Sequence, residues 1–205
     1  MNEFNNKAVG WDMNPMHSDR SIAIANEIIK LVPLKRNMRA LEYGAGTGIT
    51  SFLLKDYLKE ILLMDSSSEM VRVTNDKIKA SKVKNLKALN FNLETGDYKG
   101  SKFDLIFTQM VLHHIADTNN IIKKFYTLLN PASYLFIADL YEEEGSFHGD
   151  GFTGHKGFNP EVLTAILKNN LFSDISHRSC YVIDRKISEN ISKQFEVFAM
   201  VAKKD

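Results

Sequence analysis

Leu41-Glu42-Tyr43-Gly44-Ala45-Gly46-Thr47-Gly48 sets an acid and three alternating glycines between an apolar approach, Met38 to Leu41, and a helix-like run, Ile49-Thr50-Ser51-Phe52-Leu53-Leu54. Glycine has no Cβ, so three of them let the backbone turn tightly and come close to a ligand. Glu42, two places before Gly44, is placed to accept hydrogen bonds from a cationic or hydroxylated group. The helix beyond the turn offers backbone N–H groups to an anionic one.

The common dinucleotide fingerprint is G-x-G-x-x-G, and here its last position holds Ile49. The pattern that remains, E-x-G-x-G-x-G, resembles motif I of the class I S-adenosylmethionine (SAM)-dependent methyltransferases.

Outward from the turn, strand and helix signals alternate. An amphipathic helix is expected over Ser21–Val32, on Ile22, Ile24, Ala25, Ile28 and Ile29, stopped by Pro33. Residues before about Asp19 read as polar and irregular, apart from Trp11, Met13 and Met16. Strands are expected at Met38–Tyr43, Glu60–Met64, Asn85–Phe91, Phe103–Thr108 and Ser133–Ala138. Helices are expected at Thr47–Leu58, Ser68–Ala80, Asn119–Leu129 and Pro160–Lys168. Asn130-Pro131 marks a stop. The last part lacks helical periodicity, so Phe172–Arg185 and Gln194–Lys203 read as an antiparallel strand pair closing one edge. The expected fold is α/β: a Rossmann-like, doubly wound, mostly parallel seven-stranded sheet with that pair at its end. Residues 1–205 read as one domain, with 1–33 capping the site and 139–158 as a candidate lid.

In such sheets ligands bind beyond the carboxyl ends of the strands. Asp65 ends the second strand about twenty residues past the glycine turn, where an acid grips ribose hydroxyls. Ser66 follows it, and Met70 is placed to flank the adenine. The third strand ends at Asn92-Leu93-Glu94. The fourth runs Phe103-Asp104-Leu105-Ile106-Phe107-Thr108-Gln109-Met110 into Val111-Leu112-His113-His114-Ile115, which resembles the F-D-L-I/V…L-H-H-I segment of small-molecule class I methyltransferases. The resemblance spans residues 38–140, with its motifs in the family's order. It implies SAM as cofactor, held by Glu42, Gly44, Gly46, Gly48, Asp65, Ser66, Met70, Asn92, Leu93, Gln109 and His114. The family often has Asp where Asn92 stands, accepting from the adenine amine, and Asn keeps a carbonyl acceptor. In the family the paired histidines orient the loop under the methionine moiety. No metal is expected, since neither this pair nor His148, Asp150 and His155 has a recognised ligand spacing.

Asp139 to Phe158 holds five glycines, two histidines and three phenylalanines. Loops of this length and composition are often lids. Related small bacterial methyltransferases share an F-H…H-x-G-F loop and an early Trp-Asp, like Trp11-Asp12. Substrate contacts are therefore expected at Trp11, Phe147, Phe152 and Phe158. Methyl transfer is an in-line displacement, so alignment and exclusion of water dominate. If the acceptor must lose a proton, His148 or His155 is the expected base, with His114 third.

Composition narrows the class. The 205 residues are 44% hydrophobic and 25% charged, with net charge +1, so no strong field favours nucleic acid or an anionic membrane. A small-molecule substrate is expected, with oligomeric state undetermined. Thr108-Gln109-Met110-Val111 differs from the N/D-P-P-Y/F/W of amino methylation on DNA bases, and Cys180 follows Ser179 rather than the proline of a cytosine-C5 nucleophile. One cysteine forms no internal disulfide. With no leader at Met1 and no bilayer-length apolar run, a cytoplasmic location is expected. A non-catalytic SAM-binding protein and, further off, a nicotinamide-dependent oxidoreductase are the alternatives.

Overall fold

The computed structural model describes residues 3–189 and 191–205; residues 1, 2 and 190, which fall within the expected single domain, lie outside the described residues. Seven strands form one sheet: β1 (Arg39–Tyr43), β2 (Glu60–Asp65), β3 (Leu86–Asn90), β4 (Phe103–Gln109), β5 (Leu129–Leu140), β6 (Phe172–Ser188) and β7 (Ile191–Lys204). Their order is β3-β2-β1-β4-β5-β7-β6. The first five run parallel, and β7 lies antiparallel between β5 and β6.

Five helices cover the sheet: α1 (Pro15–Leu31), α2 (Ile49–Leu54), α3 (Ser68–Ser81), α4 (Thr118–Leu128) and α5 (Pro160–Asn169). Strand residues alternate between the two layers, as a period of two requires. Leu105 and Phe107 of β4 pack with Ile24 and Ile28 of α1, and Leu54 of α2 joins the same cluster. Ile106 faces Ile121 and Phe125 of α4 and Leu163 of α5, and a register shift between Phe103 and Leu105 puts Phe103 in that layer too. A sheet buried on both faces needs near-continuous apolar strands, which is why β4 and β5 read so clearly.

Three boundaries differ from expectation. Helix α1 starts at Pro15, not Ser21, because Asn14 caps it by accepting from Met16 N–H at 3.1 Å and proline suits the first turn. The buried face then includes Arg20 and Ser21, while Ile22 is 46% exposed. Helix α2 has only six residues before a 3₁₀ turn at Lys55–Tyr57, shorter than Thr47–Leu58. Strand β5 begins at Leu129; Asn130-Pro131 interrupts register rather than separating elements, since Phe103 pairs with Leu129 and Leu105 with Tyr134.

Phe198 on β7 is fully buried with its ring against Tyr141. Phe198→Ala should lower stability by about 3–5 kcal/mol in chemical denaturation. A loss within error of zero would show that the antiparallel pair is an appendage rather than part of the core.

Candidate active site

The parallel strands end at one side of the sheet, and a cavity of about 1200 Å³ opens there. Asp65, at the end of β2, organises its floor. One carboxylate oxygen accepts from Gly46 N–H at 2.7 Å and the other from Ser67 N–H at 2.8 Å. Burial raises its pKa, and these two backbone donors oppose the shift. Gly46 has φ +55°, and a Cβ there would point at Met70 Sδ (3.9 Å) and Trp11 Nε1 (4.0 Å), across open space. The backbone is bare where a ligand would lie against it.

The amino-terminal segment roofs this end. Trp11 stacks on His17 with ring centroids 4.0 Å apart, and His17 Nδ1 lies 2.8 Å from Trp11 O. Asp12 accepts from the Thr47 hydroxyl and from Lys77 Nζ at 2.6 Å, fastening the segment to the glycine loop and to α3. Ser67 Oγ donates to Asn5 Oδ1 at 2.6 Å.

Farther along, Gln109 ends β4. Its amide nitrogen donates to Thr50 Oγ1 and reaches Ser21 Oγ at 3.4 Å, while its buried Oε1 finds no partner among the described residues. Arg20 lines the same space. It is 7% exposed, its Nε lacks a hydrogen-bond partner among the described residues, and burial lowers its pKa to about 10 despite Asp139 and Tyr181 nearby. Arg20 Nη1 donates to Met16 Sδ at 3.6 Å, leaving Nε without a partner among the described residues; this enclosed cation and the enclosed Gln109 Oε1 complement the carboxylate and ammonium of an amino-acid group.

The second roof is the loop 141–159. Its base is pinned by His155 N–H donating to His113 O at 2.8 Å and by Phe158 N–H donating to Leu140 O at 2.9 Å. Gly154 permits this closeness, since a Cβ there would stand 2.2 Å from His113 O. Phe147 is buried against Phe195, with the Arg185 guanidinium over its ring. His148 stacks on Phe152 at 3.8 Å and lies near His113 and His114. Burial pushes its pKa down to about 4, and the His113, His114 and Arg185 charges push the same way. It is therefore neutral at physiological pH, with a lone pair to offer.

A methyltransferase domain family matches residues 34–191. The chain belongs to that family. An uncharacterized methyltransferase of Schizosaccharomyces pombe is 31% identical over 156 residues, covering 68% of this chain and 55% of that protein. The chain spans about half the length of the curated relatives it matches. Among solved structures, Bacillus subtilis YcgJ superposes with TM-score 0.71 at 16% identity, covering 91% of this chain and 98% of that one. Haemonchus contortus phosphoethanolamine N-methyltransferase 2, solved with phosphomonomethylethanolamine and S-adenosylhomocysteine, gives 0.72 at 17% identity, over 91% of this chain and 52% of that one. The sheet is that of the class I SAM-dependent methyltransferases, as the motifs imply.

Of the residues singled out from sequence, Gly44, Gly46, Asp65, Ser66, Met70, Asn92, Gln109 and His114 line the cavity, as do Trp11, Phe147, His148 and Phe152. Five others lie outside its wall. Glu42 lies one layer below, fully buried and accepting from the Ser51 hydroxyl. Gly48 caps α2 and packs on Leu63. Leu93 points into the core, and Glu94 takes its place at the wall. The His155 ring is held outside by Thr118 Oγ1 (3.3 Å) and Ile115 O (3.0 Å). Phe158 packs on that ring. The F-H…H-x-G-F pattern thus divides in two: Phe147 and His148 face the cavity, and His155 and Phe158 anchor the loop.

Arg20, Ser21 and His17 of α1, and Arg185 and Lys186 of β6, also line the cavity without a sequence signal that singled them out.

Glu42 also governs pH behaviour. Burial raises its pKa to about 8, against the Ser51 hydrogen bond that lowers it. The folded chain therefore keeps this proton up to about pH 8, whereas the unfolded chain releases it near 4.5. Stability is lost as pH rises between those values. In thermal melts of ligand-free protein, Glu42→Gln should flatten the decline from pH 4.5 to 8 and melt higher than the parent at the upper end. An unaltered pH profile would place the Glu42 carboxyl in a solvated setting.

Proposed function

We propose that this chain transfers the methyl group of SAM to a small-molecule acceptor that carries an anionic group. The observation that supports this best is one cavity lined both by Arg20 and Gln109, whose Nε and Oε1 are buried without partners among the described residues, and by Asp65 beside bare Gly46. That set of groups suits a ligand with an amino-acid end and a ribose.

In this reading Asp65 keeps lone pairs for ribose hydroxyls, and Met70 and Asn92 flank the base. Arg20 takes the carboxylate and Gln109 Oε1 the ammonium. SAM supplies the transferable methyl group on a sulfonium centre. The chain supplies alignment and dryness, with Asp12 latching the first roof and Phe147 and Phe152 closing the second. His148 and His114 act at the acceptor end. Arg185 and Lys186 on the rim suit an acidic acceptor, with phosphoethanolamine a reasonable amine to try first. A doubly roofed cavity and a net charge of +1 favour such an acceptor over nucleic acid, and a cytoplasmic setting accords with the unpaired thiol of Cys180.

Calorimetric titration with S-adenosylhomocysteine tests the pocket. Asp65→Ala should weaken binding by roughly 2–4 kcal/mol, the loss of two hydrogen bonds to a charged group. Gly46→Val should abolish it, since a branched side chain at positive φ fills the approach. Binding equal to the parent in either variant would move the cofactor elsewhere.

Transfer of labelled methyl from SAM to a panel of thiols, amines and acids tests the activity. His148→Ala should lower turnover on any acceptor found by about 10²-fold or more while S-adenosylhomocysteine affinity stays. Unchanged turnover would remove His148 from the chemistry. Saturable binding with no transfer to any acceptor class would leave a SAM-binding protein instead.

A further inference from the structure

Three imidazoles converge under the second roof although their sequence spacing matches no recognised ligand set. His113 and His114 lie in the 3₁₀ turn after β4, and His148 comes from the loop 141–159. One ring nitrogen of each lies within 4.8 Å of the other two. Ring centroids are 4.2 Å apart for His113 and His114, 4.9 Å for His113 and His148, and 5.3 Å for His114 and His148.

Each ring meets a different constraint. His113 Nδ1 lies 2.6 Å from an Asp139 oxygen, with both side chains buried. A carboxylate accepts only, so it fixes the proton on Nδ1 and leaves the Nε2 lone pair outward. His148 Nε2 is enclosed and has no hydrogen-bond partner among the described residues. Phe152 stacks on His148 and sets its edge toward His114 at 5.4 Å, walling the cluster with apolar surface. A carboxylate behind one imidazole, convergent ring nitrogens and an apolar surround make up a transition-metal site with its outer support in place.

We propose that His113, His114 and His148 bind a divalent transition-metal ion of the zinc type, with Asp139 orienting His113 and the fourth coordination position facing the cavity. Three nitrogen ligands suit zinc and its first-row neighbours; magnesium and calcium take oxygen. An ion about 2.0–2.1 Å from each nitrogen sets tetrahedral ligands about 3.4 Å apart. The cluster must therefore contract by about an ångström. Gly149 and Gly151 follow His148, and a Cβ at either would meet nothing within 4 Å, so the backbone there has room to move His148 inward. The site stands without the cofactor, but its role rests on the methyltransferase reading. An acceptor thiol, hydroxyl or amine that ligates the open position is oriented and has its pKa lowered.

The test uses the full chain after chelator treatment, titrated with Co²⁺ and watched in the visible spectrum, then with Zn²⁺ in competition. The expected result is one Co²⁺ per chain with the intense bands of four-coordination, displaced stoichiometrically by Zn²⁺. His148→Ala should weaken binding about 100-fold or more and remove those bands; Asp139→Asn, which leaves all three ligands, should weaken it about 10–100-fold. His177→Ala, an exposed histidine on β6 outside the cluster, should change nothing. Absence of stoichiometric binding, or binding that His148→Ala leaves unaltered, overturns the site. S-adenosylhomocysteine titration of the same samples separates the two readings. Cofactor binding without metal overturns the metal site alone. Metal binding without cofactor upholds the site and overturns the SAM assignment.

Discussion

The carboxylate of Asp65 holds two loops at once. By accepting from Gly46 and from Ser67 it joins the turn after β1 to the turn after β2, and both turns form the cavity floor. The same residue faces the cavity, so one side chain both builds the floor and presents an acid to it. Its neighbours depend on that position. Met70 follows through the Ser67 cap on α3, and Thr47 through the Asp12 latch. Burial works against the charged form of Asp65, and the two backbone donors are what keep a carboxylate serviceable there.

Away from that floor the cavity is bounded by groups left electrostatically incomplete. Arg20 is buried without a carboxylate at ion-pair distance among the described residues, which costs stability in the ligand-free chain. Gln109 Oε1 and His148 Nε2 are enclosed without hydrogen-bond partners among the described residues. Such groups seldom persist in a fold unless a ligand completes them. Two segments cover these groups: the first meets the glycine loop through Trp11 and Asp12 and His114 through Phe4, and the second meets the histidines through Phe147 and Phe152.

Much of this was legible in sequence because it is local. An apolar run ending in Glu42-x-Gly44-x-Gly46 and an acid at Asp65 specify strand, turn and floor through short-range geometry. The two C-terminal strands showed by their want of helical period. Tertiary packing hid the rest. The early start of α1 lay in a capping pair, Asn14-Pro15, too short for periodicity to register. Arg20 falls just before the expected helix start at Ser21, and only the packing of α1 turns it inward. Leu93, expected at the cofactor, turns into the core, and Glu94 lines the cavity instead. His148 and His155 look equivalent in the chain, and only the hydrogen bonds of His155 to Thr118 and Ile115 separate anchor from cavity wall.

A crystal structure with S-adenosylhomocysteine tests the central claim most directly. The account predicts ribose hydroxyls on Asp65, the adenine between Met70 and Asn92, and the amino-acid end spanning Gln109 and Arg20, with Asp12 still fastened to Lys77. A ligand seated away from Asp65, or one whose carboxylate leaves Arg20 unpaired, would contradict it.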